Sequence, residues 1–206
     1  MKVGLKGTPI VVSAPSGAGK TTLCKLLAKK YPGEIIYSVS ATTRKPRRTE
    51  KDSVNYFFLS EQIFKQWTRE GKFIEWAKVH NHFYGTPKKI LEERLQKGYN
   101  SILDIDVQGG MRIKKFYPEG IFIFLLTKTV DILKSRLKGR RTETKESIEK
   151  RIKNARKELQ YIKEYDYIVI NDTIKKTADT IAAILIAEGC LMKRNKQFIK
   201  TFKRNL

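Results

Sequence analysis

Residues 14 to 21, Ala14-Pro15-Ser16-Gly17-Ala18-Gly19-Lys20-Thr21, are where this sequence most openly carries chemistry. They follow the phosphate-binding spacing GxxxxGK[ST], with alanine in place of the first glycine. A glycine-rich turn aims successive backbone N–H groups into an anion-sized hollow. A helix starting behind the turn points its positive end at the same spot. Lys20 adds a point charge for the β- and γ-phosphates of a nucleotide, and the Thr21 hydroxyl is placed to ligate Mg²⁺. A residue as small as Ala14 still lets the backbone approach a ligand closely. The same pattern also occurs in glycine turns that bind nothing, so its flanking elements decide its meaning.

Loops of this kind work with a carboxylate at a neighbouring strand end. Ser101-Ile102-Leu103-Asp104-Ile105-Asp106 is an apolar run carrying two. On a strand, residues two apart point the same way. Two carboxylates on one face repel each other unless a cation lies near. Either aspartate could organise Mg²⁺ and its waters from such a strand end; the expected metal residues are Thr21 and Asp104, Asp104 through a water. Two basic stretches complete the inventory. Arg44, Lys45, Arg47 and Arg48 lie in a turn-like segment, and residues 134–157 hold eleven Lys or Arg against three Glu. Taken alone, each reads as a solvated basic face. Glu75 beside Trp76, and Tyr56 and Tyr84, likewise read in isolation as ordinary surface and packing residues.

The elements that must hold these residues follow from periodicity. Ile10 to Val12 predicts a strand, and Lys20 to Lys30 a helix with Leu23, Leu26 and Leu27 at helical spacing, so the loop lies between strand and helix as it must. Further strands are predicted at 35–39, 56–59, 101–106, 121–126 and 167–170. Ser60 caps a predicted helix presenting Ile63, Phe64 and Trp67 and closed by Gly71. Thr86-Pro87 reads as a cap and first turn for a helix that ends at Gly98. Thr144 heads a long helix with Ile148, Ile152, Ala155, Leu159 and Ile162 on one face, and Thr173 heads a last one reaching about Ala187. Strands alternating with helices predict an α/β fold with a mostly parallel sheet covered on both faces.

Composition narrows the class. Apolar residues at 40% and aromatics at 10% suit a globular domain. Forty-three Lys and Arg against twenty-one Asp and Glu give a net charge of +22, which fits nucleic acid, an anionic membrane or small phosphorylated ligands. Cys24 and Cys190 stand far apart and outside any metal spacing, so they read as two reduced, buried thiols. The first residues lack a signal-peptide core, and the longest apolar run, Ile121 to Leu126, is far too short to span a membrane. A cytoplasmic location is the resulting expectation.

Between the loop and the strand-end aspartates several further motifs fall in order. They are Ser38-Val39-Ser40-Ala41-Thr42-Thr43-Arg44-Lys45-Pro46-Arg47, Tyr56-Phe57-Phe58, Phe73-Ile74-Glu75-Trp76 and Tyr84-Gly85-Thr86. Together with Ile102 to Gly109 and Asn171-Asp172, they closely resemble guanylate kinase over residues 8 to 188. The resemblance implies a P-loop three-layer fold. Its core would be 8–39, 99–127 and 165–188, with a small GMP-binding insert at 40–98, a helical lid at 128–164 and a basic C-terminal tail at 189–206. It implies transfer of the γ-phosphate of ATP to GMP for purine nucleotide metabolism and GMP recycling, with Mg²⁺ as cofactor.

Residue by residue, the resemblance puts ATP on Ala14 to Thr22, with Asn171 on the adenine side. Arg44, Arg47, Tyr56 and Tyr84 take the GMP phosphate, and Ser40, Glu75, Thr86 and Asp106 the guanine. Lys20, Arg44, Arg136, Arg140 and Arg151 act on the transferring group. Arg141 departs from the family, which usually has glycine there. The chemistry agrees with these roles: guanine offers an O6 acceptor beside N1–H and N2–H₂ donors, so its pocket needs a hydroxyl and carboxylates. Adenine would leave those groups unpaired. An arginine fork suits the monophosphate.

Two rivals remain at this level. A non-catalytic relative would have a degraded loop, whereas Lys20, Thr21, Asp104 and Asp106 are all present. A nucleic-acid binder would use the charge, and residues 193–206 add six Lys or Arg with no acid. The expected partners are ATP and GMP, with dGMP possible, and neither a specific nucleic acid nor a membrane. His80 and His82 fall in a predicted loop and are assigned no role.

Overall fold

A computed structural model describes residues 7–79, 81–138 and 145–206. Strand β1 (Pro9–Ser13) is buried throughout and runs into helix α1 (Lys20–Lys30), which buries Leu23, Cys24 and Leu27. Strand β2 (Ile35–Tyr37) precedes two short strands, β3 (Ala41–Thr42) and β4 (Phe57–Phe58). Ser60 caps α2 (Glu61–Arg69), its hydroxyl accepting the Ile63 N–H at 3.2 Å. Of the stripe expected on this helix, Phe64 is buried and Trp67 half-buried, while Ile63 is exposed.

A hairpin of β5 (Phe73–Val79) and β6 (His82–Pro87) leads into α3 (Lys88–Gln96), β7 (Asn100–Asp104) and α4 (Val107–Phe116). Then come β8 (Ile121–Thr127), α5 (Val130–Lys138), α6 (Lys145–Leu159), β9 (Tyr167–Asn171), α7 (Ile174–Cys190) and α8 (Lys196–Arg204).

Two sheets result. The central one is wholly parallel in the order β2-β7-β1-β8-β9, so the strand before the loop is flanked by the one carrying Asp104. The inner strands β7, β1 and β8 are covered on both faces, which is why they read as continuous apolar runs, whereas Ile168 and Ile170 of the edge strand β9 are exposed. Ile10 and Val12 point to a layer with Leu23 and Leu27 of α1 and Ile181 and Leu185 of α7. Val11, between them, points to the opposite layer with Leu91 and Leu95 of α3 and Ile113 of α4. Each such buried side chain contributes about 1.5–3 kcal/mol.

The second sheet is mixed, in the order β4-β3-β6-β5, and comes from the chain between β2 and β7. Its own core is small: Ala41, Phe64 and Phe73, with Phe64 stacked on Phe73 at 4.4 Å and on Phe83 at 5.5 Å. Among the described residues no helix is long and apolar enough to cross a membrane.

Several expectations are corrected. Thr86 does not cap a helix: it ends β6 with Pro87, its hydroxyl is bonded to Glu75, and α3 starts at Lys88 with no side-chain cap. The strand expected to reach Asp106 stops at Asp104, and Asp106 is instead the N-cap of α4, accepting the Gly109 N–H at 2.8 Å. His82 opens a strand. Cys24 is buried as expected, but Cys190 is exposed at the end of α7. Thr144, Arg140, Arg141 and His80 lie outside the described residues.

The C-terminal segment folds as a helix rather than trailing away. The Arg194 guanidinium is paired with Glu188 at 2.5 Å, both side chains under a tenth exposed, and Asn195 donates to the carbonyls of Gly189 and Leu191. Phe198 and Phe202 lie one turn apart on α8 and face solvent.

Candidate active site

The loop between β1 and α1 is a main-chain device. Gly17 and Gly19 both take φ of +90°, the left-handed region that glycine enters without steric cost. A side chain on Gly19 would also strike the Asn171 Nδ2 at 2.8 Å. No side chain caps α1, unlike α2, α4 and α7, so its N-terminal amides and its dipole are left for an anion. Ala14 to Thr22 line one wall of a cavity of about 940 Å³. Arg136 of α5 and Arg151, Asn154 and Glu158 of α6 line the other. The Lys20 ammonium is steadied by the Ile105 carbonyl at 3.1 Å.

Asp104 sits where β7 ends beside β1. The Thr21 hydroxyl donates to its Oδ2 at 2.5 Å and the Tyr37 hydroxyl to its Oδ1 at 2.8 Å. Thr21 and Asp104 form an all-oxygen pair that suits a hard cation such as Mg²⁺. Among the described residues no group of three His, Cys, Asp or Glu side chains gathers as a metal cage.

A second cavity, about 240 Å³, shares Lys20, Thr21, Val79 and Asp106 with the first. Ser40, Tyr56, Glu75, Tyr84 and Asp104 complete most of its wall. Glu75 is only 5% exposed, and the Thr86 hydroxyl, wholly buried, donates to its Oε1 at 2.5 Å. Burial pushes the Glu75 carboxyl up to about 7, the Thr86 bond opposing and the charge of Asp106 adding to the shift. The β5–β6 register sets this pair, since Glu75 lies opposite Thr86. Gly109 leaves room for it, because a side chain there would meet Glu75 Oε2 at 2.7 Å. Burial, then the Asp104 charge, pushes the Tyr56 phenol up to about 12, so it enters the site as a hydrogen-bond donor.

Not every expected residue lines these cavities. Arg44 grips Glu50 through two bonds of 2.9 Å and lies over the Tyr56 ring, 5.4 Å from its centre. A carboxylate thus holds the fork in the way a phosphate would. Arg47 is exposed, and its backbone N–H bonds the same Glu50. Asn171 spends both polar ends inside the protein. Its Nδ2 donates to the Ala18 carbonyl at 2.6 Å and its Oδ1 accepts from Thr177 at 3.1 Å, so it braces the loop from beneath. Arg136 reaches the same carbonyl at 3.5 Å.

Three participants escape sequence reading. Glu50 is the partner of Arg44, signalled only by its place six residues on. Tyr37 carries no motif signal at all. Glu158 looks like one charge among many on α6, yet its Oε2 is buried without a hydrogen-bond partner among the described residues. Burial raises its carboxyl to about 7, against the pull of Lys20 and with the push of Asp106.

Comparison with known proteins agrees with this geometry. A family model described as guanylate kinase matches residues 6–188. The chain is 47% identical to a guanylate kinase of Caldanaerobacter subterraneus subsp. tengcongensis, the match covering 95% of each chain. It is 46% identical to one of Clostridioides difficile, covering 98% of each. In three dimensions it is similar to the crystal structure of guanylate kinase from Anaplasma phagocytophilum, with a TM-score of 0.77 and 32% identity over 92% of this chain and 89% of that one.

Proposed function

This chain belongs to the guanylate kinase family, and we propose that it moves the γ-phosphate of ATP to GMP by holding the two nucleotides in adjoining cavities. The observation that carries this reading is the wall the two cavities share, Lys20, Thr21 and Asp106, where a donor phosphate on one side meets an acceptor phosphate on the other.

On the donor side the loop amides and Lys20 take the β- and γ-phosphates. Thr21 and Asp104 are the residues that would hold Mg²⁺, which would supply positive charge to offset that of the phosphates when bound. Arg136 and Arg151 face the loop across the donor cavity and supply positive charge where the transferring group passes. Arg140 is assigned alongside them by resemblance. Residues 128–164 act as a lid that excludes water once both substrates are in place.

On the acceptor side the Glu75 carboxylate, held by Thr86, accepts from guanine N1–H and N2–H₂, with Ser40 and Asp106 completing the base edge. Tyr56 and Tyr84 donate to the GMP phosphate. Arg44 joins them when that phosphate competes with Glu50, and Arg47 approaches from the same loop. The acceptor oxygen is ionised at neutral pH, so no general base is required and catalysis is positioning plus charge. We propose dGMP as a further acceptor, to be compared directly with GMP. The proposed setting is the cytoplasm, where ATP is plentiful and free thiols such as Cys24 and Cys190 persist.

Steady-state assays with ATP and Mg²⁺ against GMP, dGMP, AMP, UMP and CMP test the reading. One ADP per GDP is expected, with AMP slower by about 10⁴-fold, the order of rejection that a site built around buried hydrogen-bonding groups achieves. Equal rates with AMP would overturn it.

A further inference from the structure

The hydroxyl of Tyr37 lines neither cavity, yet it is spent on a residue that does. Tyr37 ends β2 directly beside β7, in register with Ile102, two residues before Asp104. Its phenol donates to Asp104 Oδ1 at 2.8 Å while Thr21 donates to Oδ2 at 2.5 Å, so each carboxylate oxygen receives one O–H. A carboxylate bonded at one oxygen still turns about its last torsion, and one bonded at both is held in a single plane. The remaining lone pairs of Asp104 are then fixed in direction.

The tyrosine is itself well held. Its main-chain carbonyl accepts from the Arg94 guanidinium at 3.0 Å, the Lys25 ammonium lies 5.6 Å from its ring centre, and the ring packs against the core layer beneath α1. Packing alone would be served equally well by phenylalanine. A hydroxyl brought into this position and aimed at one carboxylate oxygen serves that carboxylate.

We infer that Tyr37 is a positioning residue for phosphoryl transfer, fixing the Asp104 carboxylate in the orientation that organises the divalent cation and its waters. The inference rests on the reading of Asp104 as the metal-side carboxylate. Partners that orient a metal ligand without touching the metal typically contribute about 10- to 100-fold to metal affinity.

The test uses the full chain, Mn²⁺ as an EPR-visible probe and ADP as the nucleotide. Tyr37→Phe is expected to weaken Mn²⁺ binding to the ADP complex about tenfold. It should lower kcat at sub-saturating Mg²⁺ and recover as Mg²⁺ is raised, while metal-free GMP affinity stays within twofold. Asp104→Asn, measured alongside, should weaken Mn²⁺ more strongly. If Asp104→Asn weakens Mn²⁺ and Tyr37→Phe does not, the role of Tyr37 is overturned while Asp104 keeps its own. If neither variant changes Mn²⁺ affinity, the assignment of Asp104 falls and takes this inference with it. A Tyr37→Phe protein that loses GMP and Mn²⁺ affinity alike, with a lower melting temperature, shows a packing role and also overturns it.

Discussion

The two cavities proposed to hold phosphorylated ligands are built by unlike means. The larger is a main-chain structure: two glycines at φ +90°, an uncapped helix start and one lysine do most of its work. The smaller is a side-chain structure gathered from residues 40, 56, 75, 84 and 106, with buried Thr86 behind Glu75. They also rest on different foundations. The phosphate loop stands on a parallel sheet with an apolar layer on each face, whereas β3 to β6 have a small core of their own, Ala41, Phe64 and Phe73, and reach the central layer through Ile74 of β5. In the proposed reading, generic recognition of phosphate falls to the more deeply packed part of the molecule. Selection of a base comes from a lightly founded sheet that must keep a carboxylate out of water.

Substitutions can press on that contrast from each side. The largest effect is expected at Lys20, where Lys20→Met removes the charge both cavities share. On the order of a 10³-fold fall in kcat is expected, as for loss of one transition-state charge donor. Its melting temperature should stay near wild type, since among the described residues the ammonium's hydrogen bond goes to the Ile105 carbonyl. Retained turnover would remove Lys20 from the mechanism.

Glu75→Gln should sharpen the contrast. An amide at this position offers guanine a donor where it needs an acceptor. We expect kcat/KM for GMP to fall by roughly 10²-fold, with the preference over AMP eroded. Stability should move the other way. Burial raises the Glu75 carboxyl from an ordinary 4.5 to about 7. Between those values the folded chain holds a proton that the unfolded chain has released, so stability falls as pH rises through the window. Glutamine carries no such charge, so the variant's melting temperature should exceed wild type most at pH 8 and least near pH 4. In the wild type, calorimetry should find GMP binding weakening as pH drops below about 7, where the accepting carboxylate is lost. A pH-independent affinity would contradict the role given to Glu75.

Phe64→Ala is expected to act more locally. It removes the ring stacked between Phe73 and Phe83, which costs about 3–5 kcal/mol for a buried phenylalanine. If the two foundations are separate, KM for GMP rises while fluorescent ATP-analogue affinity changes little. Loss of both together, in one cooperative urea transition, would mean that the sheets stand or fall as one.

How far the residues foretold the structure follows the same division. The loop was legible because its information is local: strand, glycines, lysine and helix are consecutive, and α1 spans Lys20–Lys30 as read. The caps at Ser60 and Thr173 were legible for the same reason. The hairpin of β5 and β6 was not, because its alternation is blurred by Glu75 and Thr86, polar residues turned inward to face each other. Thr86 before Pro87 has the outward form of a helix start, and only the tertiary partner across the hairpin shows where its hydroxyl goes. Asp106 was read as continuing a strand. Its cap to Gly109 depends on α4, whose Gly109 and Gly110 disguise a helix. Arg44 and Asn171 were picked out as site residues, but their present partners, Glu50, Ala18 and Thr177, are matters of packing that spacing does not encode.

The neighbouring positions of β2 and β7 have a consequence for how such chains diversify. The Ser38 N–H bonds the Ile102 carbonyl at 2.9 Å and the Asn100 N–H bonds the Glu34 carbonyl at 3.2 Å, so the excursion of residues 38–99 leaves the central sheet and rejoins it at one seam. The chain between β2 and α3 can grow or shrink without rethreading any central strand, while α3 stays to cover the sheet with Leu91 and Leu95. A lineage can in this way acquire a new acceptor while inheriting its phosphate chemistry intact.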